Sequence, residues 1–181
     1  MKELSLNILD VAKNSVTAGA SKIEISLVTD AEGMLALTIK DDGCGMSEET
    51  VRNVTNPFYT TRTTRKVGMG LPLLKLAAEQ SGGGLVISSS RDEITHGTEL
   101  IATFNTKSID FTPVGDIISS VCILIAGSPE IDFVFTDVTS ERSVSLNTAE
   151  LRAVLGDDIS LAEPEVQTWI SEYLKEQYVS Q

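Results

Sequence analysis

The chain has 181 residues, 41% of them apolar, with 26 acidic against 14 basic side chains and a net charge of −12. Such a length allows one or two domains with a buried core, and the acidic balance argues against nucleic acid or an anionic membrane surface as the main partner, because both need a basic footprint. Two cysteines, Cys44 and Cys122, are too few for a disulfide scaffold and form no CxxC pair, which points to a reducing, cytoplasmic setting.

In chain order, residues 3 to 18 read as a helix, because Leu4, Ile8, Ala12 and Val16 recur every four residues and Gly19 gives a stop. The opening MKELSLNILD has no basic-then-apolar leader pattern, so no signal peptide is expected. Residues 22 to 28 alternate, with Ile23, Ile25 and Leu27 on one face, and 34 to 40 alternate again after an Asp30–Gly33 turn; the pair is a hairpin. Ser47 can cap a short helix to residue 54 whose first turn carries Glu48 and Glu49. Residues 55 to 69 have no period and read as a mobile loop, and 71 to 81 as a helix with Pro72 in its first turn. Strands at 85–89 and 99–104 follow, joined by a polar turn. The expected result is an α/β two-layer sandwich whose mixed, mainly antiparallel sheet is covered on one face by helices.

From residue 108 the character changes. A helix at 114–125, strands at 131–137 and 143–146, a helix opened by Asn147 and Glu150, and an amphipathic helix at 163–178 make a small α/β extension. The expected division is a first domain at 1–107 and an extension at 108–181 available to a partner. The longest apolar run, Val121 to Ala126, is far short of a membrane span.

Four segments carry chemistry. Asp10 and Asn14 lie one turn apart on one helix face; an amide oxygen suits Mg²⁺, and a carboxylate beside it can orient a water towards a γ-phosphate. Asp41-Asp-Gly-Cys-Gly45 puts a carboxylate at a strand end, able to accept from an adenine amino group, next to glycines that allow close backbone approach. Gly68-Met-Gly-Leu71 opens a helix whose first amides favour an anion, without the Lys of a Walker loop. Thr98, after Gly97, offers a hydroxyl near Asp41. Taken singly, each segment also has an ordinary reading as a polar helix face, a turn, a helix start or a strand residue.

Together with Asn56-Pro-Phe-Tyr-Thr-Thr-Arg62, and in this order, the segments resemble the N, G1, F and G2 boxes of the GHKL ATPases, which include histidine kinases, gyrase and mismatch-repair ATPases. The resemblance covers residues 1 to about 105. It implies Asn14 as the Mg²⁺ ligand, Asp41 as the adenine partner, Gly43 and Gly45 with Met46 under the base, and Thr98 as a second base contact. It also implies Gly68, Met69, Gly70 and Leu71 at the phosphates. Residues 47–69 would be an ATP lid carrying Phe58, Thr60, Thr61, Arg62, Arg65 and Lys66.

Asp10 takes the catalytic position, where hydrolysing members of the family usually carry Glu; Pro72 replaces a frequent glycine. Nine residues precede Asp10, and the sole histidine, His96, reads as an exposed turn residue, so a self-contained histidine kinase is not expected. The expected function is Mg-ATP binding with slow hydrolysis, or phosphate transfer to a regulatory protein partner as in anti-sigma-factor kinases. The alternative is a non-catalytic, nucleotide-responsive binding module.

Overall fold

The computed structural model describes residues 3–56, 69–156 and 158–179. In chain order the elements are α1 (Leu4–Thr17), β1 (Lys22–Thr29), β2 (Met34–Asp41), α2 (Glu48–Asn53), α3 (Gly70–Gln80), β3 (Gly84–Ser90), β4 (Gly97–Asn105), α4 (Ile117–Gly127), β5 (Asp132–Val138), β6 (Ser143–Asn147), α5 (Thr148–Leu155) and α6 (Pro164–Val179). Phe58, Thr60, Thr61, Arg62, Arg65, Lys66 and Gly68 lie outside the described residues, and with them most of the expected lid.

All six strands form one sheet in the order β3-β4-β2-β1-β5-β6. Every neighbouring pair is antiparallel except β1 and β5, which run parallel. The sheet is therefore mixed and mainly antiparallel, as the alternation and turns predict. Residues after 108 continue it rather than building a second one: β5 adds beside β1, and β6 closes that edge.

Period-two alternation decides which face is covered. Register sets Ile25 opposite Ile39 and Leu27 opposite Leu37, then Leu100 against Ile39 and Ala102 against Leu37, with Phe135 beside Ile25. These side chains are buried under a helical layer in which α3 packs beside α1, α4 beside α1, and α6 beside α4 and β6. Leu4, Ile8, Val11 and Ala12 supply the α1 stripe. A fully buried leucine such as Leu37 contributes about 2–3 kcal/mol through removal from water, and Leu37→Ala would cost about 2–5 kcal/mol once the cavity is included. The opposite face leaves Val28, Val86 and Ile101 exposed.

The segment before α4 ties the two ends together. Pro113 and Val114 carbonyls accept from the Leu4 and Ser5 amides at 2.9 and 2.8 Å, satisfying two donors that the start of α1 would otherwise leave open. At the other edge, the Gln177 side-chain amide on α6 pairs with the backbone of Ser145 on β6, at 2.9 Å from Ser145 N and 3.0 Å to Ser145 O. It occupies part of the edge that a further strand would use. Tyr178 donates to Asp137 at 2.7 Å and lies under the Arg142 guanidinium, 4.7 Å from the ring centre, while Arg142 also pairs with Asp137 at 3.0 Å. Burial first, and then the bond to Asp137, push the Tyr178 hydroxyl well above its usual titration range.

Candidate functional site

A cavity of about 430 Å³ opens where α1, the end of β2 and the start of α3 meet. Its α1 wall presents Asp10 and Asn14, one turn apart as the spacing predicts, together with Ser15 and Ala18. Ile39, Ile87 and Leu100 make an apolar floor from three adjacent strands. Gly45 and Met46 come from the turn after β2, Met69, Gly70 and Leu71 from the start of α3, and Thr98 from β4. Gly43 does not line the cavity; it lies within the turn, where its amide donates to Asp41 Oδ1 at 3.0 Å.

Asp41 is the most heavily engaged side chain of the site. It ends β2, opposite Thr98 in register. Its Oδ1 accepts from the amides of Gly43 and Thr98, at 3.0 and 3.2 Å, and its Oδ2 accepts from Ser15 Oγ at 2.5 Å. The next residue does different work. Asp42 turns away and accepts from the Ser21 and Lys22 amides, at 2.8 and 2.9 Å, and from the Ser21 hydroxyl. Partial burial opposes its ionisation, but these bonds outweigh that and hold its carboxyl below the usual range.

The turn between Asp41 and Met46 is held on three sides. Gly45 has φ +66°, and a Cβ there would lie 1.8 Å from the Ser90 carbonyl oxygen, so only glycine fits. Met46 N donates to Ser89 Oγ at 2.8 Å. Ser89 donates to the Gly97 carbonyl at 2.9 Å; its single proton is then committed, so Thr98 is the donor in their 2.9 Å contact. The Thr98 hydroxyl is thus directed at Ser89, while its amide serves Asp41. His96 is exposed as expected, yet its Nδ1 lies 2.8 Å from the Gly43 carbonyl. A carbonyl can only accept, so Nδ1 carries the proton.

The other end of the cavity is the start of α3. Among the described residues no side chain caps this helix, so the amides of Gly70 and Leu71 can face an anion. Asp10 stands against it: a Cβ on Gly70 would come 2.2 Å from Asp10 Oδ2. Arg91, which follows Ser90 beside the Gly45 turn, also lines the cavity and brings it a positive charge. Among the described residues no group of three or more His, Cys, Asp or Glu could hold a metal ion by itself.

Sequence reasoning did not single out Ser15, Ser89 or Arg91. Ser15 had one legible signal, its place directly after Asn14 on the inward face of the helix. Ser89 and Arg91 had none, since only the β3–β4 register brings them to the site.

The family model of the histidine kinase-, DNA gyrase B- and HSP90-like ATPases matches residues 1–108. The chain belongs to that family. Among curated relatives, Bacillus subtilis sensor histidine kinase YxdK is 32% identical over 113 residues, covering 59% of this chain and 34% of its own. Escherichia coli sensor histidine kinase CpxA is 30% identical over 79 residues, covering 41% of this chain and 17% of its own. The chain thus spans about a third or less of the relatives it matches. In fold it is similar to the Aquifex aeolicus MutL ATPase domain complexed with ADP, with TM-score 0.55, 14% identity and coverage of 86% of this chain and 69% of that one. It is likewise similar to the N-terminal domain of a DNA repair protein, with TM-score 0.58, 14% identity and coverage of 87% and 58%. Both fold likenesses extend past the residues of the family model. No described helix is long and apolar enough to cross a membrane.

Proposed function

We propose that this cavity binds ATP, with the adenine at Asp41 and the phosphates at the start of α3. The observation that carries the reading is the pairing of the two ends. A carboxylate fixed by three donors closes one end over an apolar floor, and a helix N-terminus that no described side chain caps opens the other. The first accepts from an exocyclic amine, the second attracts an anion, and the volume falls in the range of small-molecule sites. Gly45 and Met46 would pass under the base, and Thr98 would stand beside it.

Asn14 offers a hard, neutral oxygen on the same wall as Asp10, a donor set that suits Mg²⁺ shared with a nucleotide. When bound, the ion neutralises phosphate charge. Asp10 then holds a proton-accepting carboxylate at the α3 end, in place to receive a proton from water or from a partner's hydroxyl. Its side chain is one methylene shorter than a glutamate, which makes turnover slow. The same shortness supports a second reading, a nucleotide-driven switch without turnover. Residues 109–181 lie beyond the family model and expose Trp169 and Tyr173 on α6, stacked at 4.9 Å and 11°; this is the surface we assign to a protein partner.

The test is phosphate release from Mg-ATP beside calorimetric binding of ATP. Binding with slow release supports the ATPase reading, binding without release supports the switch, and absence of binding defeats both.

A further inference from the structure

We propose that Ser15 is a positioning residue that makes the site select a 6-aminopurine over a 6-oxopurine. This deepens the nucleotide reading above and rests on it. Ser15 is 5% exposed, on the face of α1 turned to the sheet, and both it and Asp41 line the cavity. Its Oγ donates to Asp41 Oδ2 at 2.5 Å.

That bond has two consequences. The first is orientational. Oδ1 is anchored by the Gly43 and Thr98 amides, and Ser15 anchors Oδ2. With both oxygens held, the carboxylate cannot turn about its last bond. The second concerns donors. A serine hydroxyl has one proton and two lone pairs. With the proton given to Asp41, Ser15 turns only lone pairs to the cavity, so the two groups together form an acceptor-only floor. An exocyclic amine finds acceptors for its N–H groups there. An exocyclic oxygen finds none but lone pairs, and a buried polar group left without a partner is costly.

Removing the hydroxyl frees Oδ2 from α1 and leaves space the size of one oxygen. A water there can donate to a 6-oxo group and relay to Asp41. Selection should therefore weaken while the fold persists, since alanine favours the helix more than serine does.

Calorimetric titration of ADP and IDP, which differ at C6, into wild type, Ser15→Ala and Ser15→Thr is the test. Wild type should prefer ADP. Ser15→Ala should lower the ADP-to-IDP affinity ratio about tenfold, the scale of one charge-assisted hydrogen bond, chiefly through weaker ADP binding. Ser15→Thr, which keeps the hydroxyl, should keep the ratio. A ratio unchanged in Ser15→Ala, or lost equally in both variants, overturns the proposal while leaving nucleotide binding intact. Equal affinity of wild type for both nucleotides also overturns it. If wild type binds neither, the nucleotide reading itself falls.

Discussion

Gly70 makes room for Asp10: a Cβ on the glycine would lie 2.2 Å from Asp10 Oδ2 and 3.2 Å from its Cγ. The first residue of α3 and the middle of α1 are thereby coupled at the end of the cavity assigned to the phosphates. Gly70→Ala should force the carboxylate aside with little loss of fold, because the obstructing atoms belong to a short side chain. Phosphate release should fall about as far as in Asp10→Asn, while thermal stability drops by roughly 1 kcal/mol or less, below the range typical of overpacking in a core. A Gly70→Ala protein with wild-type turnover would remove Asp10 from the chemistry.

Asp10→Asn keeps the shape and removes the proton acceptor. It should abolish phosphate release and leave ADP affinity within about threefold, since an interaction made only in the transition state leaves ground-state binding unchanged. Asp10→Glu should raise turnover by extending the reach. Steady-state phosphate assays beside calorimetry separate these effects.

The turn after β2 should weaken in acid. The Asp42 carboxyl titrates below its usual value in the folded chain, so its contribution is present above the unfolded pKa and is lost as pH falls through the folded one. Wild type should hold stability at neutral pH and lose part of it below about pH 4. Asp42→Asn should be less stable at pH 7 and show a flatter decline in acid, read by urea unfolding at a series of pH values. Equal pH profiles would mean that the Ser21 and Lys22 bonds contribute nothing net.

Gln177→Ala should uncover the β6 edge. The amide that pairs with Ser145 N and O is then gone, and an unpaired edge invites association of chains. Light scattering should show stronger concentration-dependent self-association than in wild type; association equal to that of wild type would show that the edge is protected by other means.

Much of this fold was legible because its periods are local. Ile23, Ile25 and Leu27 alternate in sequence, and they alternate in burial in β1. Ser47 and Asn147 cap their helices, accepting from Thr50 N and Ala149 N. What the pattern could not carry was adjacency. Nothing in the alternation of residues 132–138 says that they pair in parallel with residues 22–28, more than a hundred positions earlier. The site divides in the same way. Asp10, Asn14 and Asp41 stand in recognisable segments and Ser15 follows directly on one of them, whereas Ser89 becomes visible only when β3 is folded against the turn. Asp41 and Asp42 look alike in sequence and differ because β2 ends between them, so that one faces the cavity and the other Ser21.

Calorimetric titration of ADP into wild type and Asp41→Asn tests whether Asp41 closes a nucleotide site. The variant retains one oxygen for the Gly43 and Thr98 amides, so it should fold, but it turns a donor where the adenine amine needs an acceptor. Wild type should bind one equivalent, and Asp41→Asn about ten- to a hundredfold more weakly, the worth of one hydrogen bond to a charged acceptor. Equal affinity in the two proteins would remove Asp41 from the adenine, and no binding by wild type would remove the nucleotide from this cavity.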